Sequence, residues 1–299
     1  MNLWQEYLRP TNLSQALKAF AEASGLILPV AGGTDLLLDL EQGRHAPVHT
    51  LLDVTSISEM NALEVRGEEL FVGAAAPVNR IVLDSSVGAH AQALTEACNL
   101  IAGPQVRNVA TLGGNVAHAL PAADGTIALL ALNAQAEIAS VNAPAAVPGG
   151  VNIYRLSFKE LFLGPGKSSL KYGQELLVGF YLPLSKKGQA SCFKRIMRPQ
   201  GVALPIINLA IWLERVEDKV NQIRIAVGPG GPMPWSGTEA EKVLIDKPLN
   251  DETFNAALEA LLAQVGFRSS ARRASADYRR HIVSGLFKDV LETAWMRAT

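Results

Sequence analysis

Two short stretches of this sequence carry residue types that can grip an anion. "VAGGTD" runs from Val30 to Asp35, and "TLGGN" from Thr111 to Asn115. Glycine has no side chain to cover its own N–H group. Gly32 and Gly33 can therefore aim successive amides at one ligand, and Thr34 adds a hydroxyl beside Asp35. A strand before such a turn and a helix after it favour phosphate. The same residues also suit a plain tight turn between strand and helix. Gly113 and Gly114 repeat the pattern inside the apolar stretch "NVATLGGNVAHALPAAD", residues 108–124. Paired glycines pack nothing there, which predicts that something comes close to the backbone. Two such turns could hold the two phosphates of one diphosphate from opposite sides, with Thr111 and Asn115 adding hydrogen bonds. Neither turn matches GxGxxG, so a nicotinamide-type Rossmann site is not indicated. "GPGKS" at 164–168 is no P-loop, because the motif's first glycine would fall on Leu161.

Redox or metal chemistry would need a centre from outside the polypeptide. The chain has two cysteines, Cys98 and Cys192, far apart in sequence, and its five histidines show no HExxH-type spacing. A disulfide framework, a structural zinc and an iron–sulfur site are not expected. With 299 residues, 48% hydrophobic, 18% charged and a net charge of −1, the chain is an ordinary globular protein of one or two domains. That charge balance gives no case for nucleic acid. The arginines near the C-terminus, Arg268, Arg272, Arg273, Arg279 and Arg280, read as a solvated helix face. "MNLWQEYLRPTN" has no basic start followed by an apolar run, and the longest apolar run, 202–213, contains Pro205 and Asn208. No transmembrane segment is expected, and the location expected is cytoplasmic.

The elements that must position the two turns can be read in order. A helix is predicted after a cap at Thr11 or Asn12, carrying Leu13, Ala16, Leu17 and Phe20 on one face. "LILPV" (26–30) reads as a buried strand, the stretch from Leu36 as a helix, and "HTLLDVT" (49–55) as another strand. "LEVRGEELFVGAAA" (63–76) reads as a hairpin turning near Gly67. Helical stretches follow over about 78–83 and 87–98. The stretch after Asp124 reads as a helix and then a strand, and 142–150 as a surface loop. A strand ends at Pro183. The last third reads as two antiparallel strands joined near "EDKVN", then helices over about 250–265 and 282–291. The class is α+β.

Several of these residues carry a family resemblance. "AGGTDLL", "IAGPQVRNVATLGGN", "LPAAD", "GPGKSSL", "ELLVGFYLP", "FKRIMR" and "RSSARRASADYR" occur in order across nearly the whole chain. Together they resemble the FAD-binding (medium) subunit of the molybdenum hydroxylases, a family that includes xanthine dehydrogenase and aerobic carbon monoxide dehydrogenase. The resemblance implies a two-part FAD-binding domain like that of vanillyl-alcohol oxidase over 1–175, divided at about residue 56. A smaller C-terminal domain with an antiparallel sheet and helices would follow over 176–299.

The resemblance also implies a site. Val30, Ala31, Gly32, Gly33, Thr34 and Asp35 correspond to the first diphosphate loop, and Thr111, Gly113, Gly114 and Asn115 to the second. Asp124 matches an aspartate on the cofactor's polar chain, although a helix cap would explain it too. Leu177 matches a leucine that packs on the flavin, and is equally a core strand residue. Lys194 matches a lysine near the isoalloxazine, where a cation favours reduced, anionic flavin; otherwise it is an exposed strand lysine. Ile101 stands where animal xanthine dehydrogenases place a phenylalanine over the flavin. Two scattered cysteines cannot hold the four-iron cluster of the 4-hydroxybenzoyl-CoA reductase branch. No residue is implied as nucleophile or general acid. FAD on this chain would pass electrons from [2Fe-2S] clusters of a small subunit to NAD+ or a quinone. A large subunit would hold the molybdenum-pterin. A self-contained FAD-dependent oxidase and a cofactor-free assembly module are the alternatives. The short C-terminal region argues against the first, and the intact glycines against the second.

Overall fold

The structure is a computed structural model that describes residues 3–141, 151–199, 204–271 and 273–299. The loop expected at 142–150 and Arg272 lie outside the described residues.

The first unit opens with β1 (Glu6–Leu8), α1 (Leu13–Glu22), β2 (Ile27–Val30), α2 (Leu36–Glu41) and β3 (Thr50–Asp53). Asn12 caps α1 by accepting from the Gln15 N–H, and Leu13, Ala16, Leu17 and Phe20 are its buried face. The three strands form a parallel sheet in the order β1-β3-β2. That order leaves the C-terminal end of β2 pointing into the Gly32-Gly33 turn.

A five-stranded antiparallel sheet follows, in the order β4-β5-β10-β6-β7. Its strands are β4 (Leu63–Arg66), β5 (Glu69–Gly73), β6 (Gln135–Ser140), β7 (Asn152–Ser157) and β10 (Glu175–Pro183). A small hairpin, β8 (Phe162–Gly164) and β9 (Lys167–Ser168), occupies the "GPGKS" stretch. β10 is the central strand, and Glu175 to Leu182 are all buried, as expected of a strand covered on both faces. The helices α3 (Val78–Leu83), α4 (Ser85–His90), α5 (Gln92–Leu100), α6 (Pro104–Arg107), α7 (Leu112–Ala117) and α8 (Asp124–Ala131) lie between β5 and β6 in sequence. Every residue of α8 is buried.

The second sheet contains β11 (Gln189–Ile196), β12 (Ile207–Val216), β13 (Lys219–Gly228) and β14 (Trp235–Ser236), antiparallel and in chain order. Helices α9 (Thr238–Leu244), α10 (Asp251–Gln264) and α11 (Ala276–Arg297) complete the chain. This sheet is packed on both faces. Leu209, Ile211 and Leu213 pack with Phe287, Val290 and Leu291 of α11. Ala210, Trp212 and Phe193 belong to the core of the first unit. The period-two alternation of β11 and β12 thus joins the two units.

The expected division after residue 175 falls within β10, whose pairing with β5 and β6 places it in the first unit's sheet. We place the division between Pro183 and Gln189, where the chain changes sheet. Among the described residues no helix is long and apolar enough to cross a membrane.

Candidate cofactor-binding site

The two glycine turns touch. A Cβ on Gly32 would stand 2.1 Å from the Val109 carbonyl oxygen and 2.8 Å from the Ala110 Cα. The backbone of the first turn therefore rests on the backbone leading into the second. Gly113 serves a similar end, since a Cβ there would stand 2.6 Å from both Cβ and O of Ala74. Gly33 has φ +67°, in the left-handed region that glycine adopts without strain. Gly114 differs from the other three. A Cβ on it would meet only Thr111 Oγ1, at 3.2 Å, so its remaining surroundings are open.

The turns also differ in their amides. In the second turn the Gly113 N–H donates to the Ala74 carbonyl (2.9 Å), the Gly114 N–H to Thr111 Oγ1 (3.1 Å), and the Asn115 N–H to the Thr111 carbonyl (3.1 Å). Thr111 is thus the N-cap of α7. In the first turn, the N–H groups of Gly32, Gly33 and Thr34 have no acceptor among the described residues. Free successive amides with a left-handed glycine among them form a concavity suited to an anion.

A cleft of about 130 Å³ opens beside the turns. Ala31, Thr111, Gly113, Gly114, Tyr172 and Leu177 are among the residues that line it. Leu177 is aimed there by β10, whose register against β6 shifts between Leu177 and Gly179. A volume of that size is below the 300–1,000 Å³ of a whole ligand pocket, so it suits one part of a dinucleotide. A larger cavity, about 310 Å³, lies over α1 and β1 and is lined by none of the expected site residues.

These residues fit FAD on two observations. The first turn has free amides for the diphosphate, and Gly114 leaves room at the cleft wall. Asn115 Oδ1 is buried with no hydrogen-bond partner among the described residues, but it lies against Gly125 of α8 and Asn115 does not line the cleft.

Other expected residues stand elsewhere. Val30 is buried at the end of β2, its carbonyl accepting from the Val54 N–H (3.0 Å). Asp35 is exposed and faces His118, with Oδ2 and Nδ1 3.5 Å apart. His118 holds the Asp35 carboxyl below its ordinary range; Asp35 in turn raises the imidazole, more than burial lowers it. This pair ties the first turn to the C-terminal end of α7. Ile101 ends α5, accepts a hydrogen bond from Arg107 through its carbonyl (3.1 Å), and does not line the cleft.

Asp124 begins α8 but makes no capping bond. Its Oδ2 is paired with Arg195 and its Oδ1 accepts from Asn208 Nδ2 (2.7 Å). The helix-cap reading of Asp124 is therefore replaced by a buried ion pair across the two units. Burial raises the Asp124 carboxyl, opposed by the Arg195 guanidinium and the Asn208 amide. Lys194 lies on the face of β11 turned towards α11, where Nζ bonds Asp289 Oδ1 (2.6 Å) and Thr293 Oγ1 (3.1 Å).

Sequence reasoning missed Glu175, Arg195 and Asn208. Glu175 lines the cleft and accepts from the Lys171 N–H (2.9 Å). One signal was available for it, a carboxylate opening an otherwise apolar strand. Arg195 and Asn208 sit in strands whose buried face a single sequence does not reveal.

Comparison with known proteins shows likeness over nearly the whole chain. The model of the FAD binding domain in molybdopterin dehydrogenase matches residues 3–185. That of the CO dehydrogenase flavoprotein C-terminal domain matches 191–294. The xanthine dehydrogenase FAD-binding subunit of Escherichia coli O157:H7 is 32% identical over 291 residues, 96% of this chain and 95% of that one. The glyceraldehyde dehydrogenase medium chain of Sulfolobus acidocaldarius is 30% identical, over 95% of this chain and 97% of that one. A structure of carbon monoxide dehydrogenase from Hydrogenophaga pseudoflava lacking the Mo-pyranopterin moiety of its cofactor superposes with a TM-score of 0.88. The two are 25% identical, with 99% of this chain and 98% of that one covered.

Proposed function

The chain belongs to the FAD-binding subunits of the molybdenum hydroxylases, and from that premise we propose that it is the electron-transfer subunit of a multi-subunit molybdenum dehydrogenase. Its cofactor is FAD. The full-length likeness to medium subunits such as those named above supports a large molybdenum-pterin subunit and a small [2Fe-2S] subunit as partners. FAD, when bound, supplies the exchange by which electrons from the small subunit would leave to NAD+ or a quinone. Two free, buried cysteines support a cytoplasmic setting for the complex.

This chain's residues hold and shield that cofactor. The amides of Gly32, Gly33 and Thr34 would take the diphosphate oxygens. Gly114 and Ala31 leave space beside them, Leu177 covers an apolar surface, and Asn115 joins the second turn to α8. Val30, Thr111 and Gly113 keep the turns in shape. Asp35 closes the edge of the site with His118, and Asp124 supports the second turn from behind. The roles of Ile101 near the flavin and of Lys194 beside it rest on the resemblance alone. No side chain of the site is assigned a catalytic proton transfer.

The observation that carries this reading is the set of three unpaired amides beside an open cleft wall at Gly114. The test is the visible spectrum of the purified chain before and after anaerobic NADH. Flavin bands that bleach support a nicotinamide acceptor. Bands that persist direct the reading to a quinone or to electrons delivered only by the partner subunits. A colourless chain that takes up no added FAD overturns it.

A further inference from the structure

We propose that Arg195 is a positioning residue of the cofactor site, acting from the C-terminal sheet through Asp124 to hold the second glycine turn in place. The proposal rests on the FAD reading above. It begins with the alternation of β11. Ser191 Oγ accepts from the Ala93 N–H of α5 (3.0 Å), Phe193 joins the first unit's core, and Arg195 pairs with Asp124 at the start of α8. Cys192 and Lys194 point the other way, towards α11. Of the two neighbouring cations, Arg195 is therefore the one directed at the cofactor-binding unit.

The pair is buried, with the Arg195 side chain 6% exposed and the Asp124 side chain 5%. Asn208 of β12 supports it from the same sheet, donating to Asp124 Oδ1 (2.7 Å) and to the Ala122 carbonyl (3.0 Å). The next residue carries the coupling. A Cβ on Gly125 would stand 2.6 Å from Leu112 Cδ1 and 2.9 Å from Asn115 Oδ1, so the first turn of α8 lies directly against the second glycine turn. The approach leaves no room for an added carbon between Gly125 and the Leu112 and Asn115 side chains. A buried carboxylate that loses its cation must move towards water or take up a proton. Movement of Asp124 would displace Gly125, Leu112 and Asn115 with it. Among the described residues Arg195 has capacity to spare in this seam: its Nε is buried without a partner, and its other terminal nitrogen meets Met197 Sδ, at 3.1 Å.

Arg224 is the internal control. It too crosses the seam, donating from Nε to the Ala131 carbonyl (2.9 Å) and lying over the Trp212 ring at 3.7 Å. It meets α8 at the end remote from the glycine turn. A purely structural role would make the two arginines equivalent.

The experiment is an equilibrium FAD titration of the full chain, with thermal midpoints recorded without FAD, for wild type, R195Q, R195K, D124N, D124N/R195Q and R224Q. We expect R195Q to weaken FAD binding by about tenfold or more, a loss of at least ~1.4 kcal/mol. R195K keeps the charge and should recover part of that loss. D124N/R195Q should bind no worse than the poorer single variant, because both act on one path. R224Q should lower the midpoint and leave FAD affinity within about twofold. Wild-type affinity in R195Q overturns the proposal, as does an equal loss in R224Q or additive losses in the double variant. If R195Q does not fold, R195K and the double variant decide on the same criteria. A wild-type chain that binds no FAD overturns the cofactor reading itself.

Discussion

Gly32 lies against Val109 so closely that a single added carbon would stand 2.1 Å from the Val109 carbonyl oxygen. The two glycine turns form one packed unit, and its glycines divide the work. Gly32 and Gly113 let backbone meet backbone, Gly33 adopts a left-handed conformation, and Gly114 faces open space.

That division separates stability from binding. Gly32→Ala should destabilise the chain by about 1–3 kcal/mol, because the carbon meets backbone that cannot step aside. FAD affinity should fall with it. Gly114→Leu should leave the thermal midpoint of the FAD-free chain close to wild type and still abolish FAD retention. Thermal melts and flavin content check both. Full flavin occupancy in the Gly114 variant would contradict the site.

Thr111 is the N-cap of α7 in the second turn. Thr111→Ala should cost about 1 kcal/mol, and Thr111→Ser should restore most of it. Chemical denaturation of the three proteins reads this directly.

The Asp35–His118 pair gives a pH signature. The imidazole's folded value is raised above 6.5, so its contribution is present below that pH and lost as pH rises through the raised value. The Asp35 carboxyl is lowered below 3.8, so its contribution is present above that pH and lost as pH falls through the lowered value. The pair therefore stabilises most between those two ordinary values. Its side chains are 38% and 62% exposed, which limits it to a few tenths of a kcal/mol. Melts of wild type and His118→Gln across this range should differ most on the acid side of neutrality and converge above it. A difference that stays constant with pH would refute the pair's role.

The thiols should be silent. Cys98 and Cys192 are free and buried. Burial pushes the Cys192 thiol up to about 12, and raises Cys98 further still. A thiol reagent at mild alkaline pH should label neither in the folded chain and both after unfolding. Rapid labelling of one thiol in the native chain would contradict this packing.

The two glycine turns of the candidate site were legible because glycine pairs inside apolar sequence have few structural uses. The strand before Gly32, the hairpin at Gly67 and the antiparallel strands near 217 were also readable, since each joins a clear apolar period to a turn residue. β1 was not. Its three residues are all exposed, and it forms because it pairs with β3 while Gln5 and Glu6 donate to the His49 carbonyl. The orientation of β11 was hidden for a related reason. Alternation shows that Lys194 and Arg195 face opposite ways, but only the packing of α5, α8 and α11 decides which one meets the cofactor unit. The ion pair of Asp124 was hidden because its partners, Arg195 and Asn208, lie more than 70 residues away in sequence.

The central claim is that this chain binds FAD at the joined glycine turns. Titrating the purified, flavin-free chain with FAD, followed by the absorbance and fluorescence of the flavin, tests it most directly. The account requires saturable binding of about one FAD per chain, lost in the Gly114→Leu variant while its fold is retained. Absence of binding in the wild-type chain, or equal binding in that variant, would contradict it.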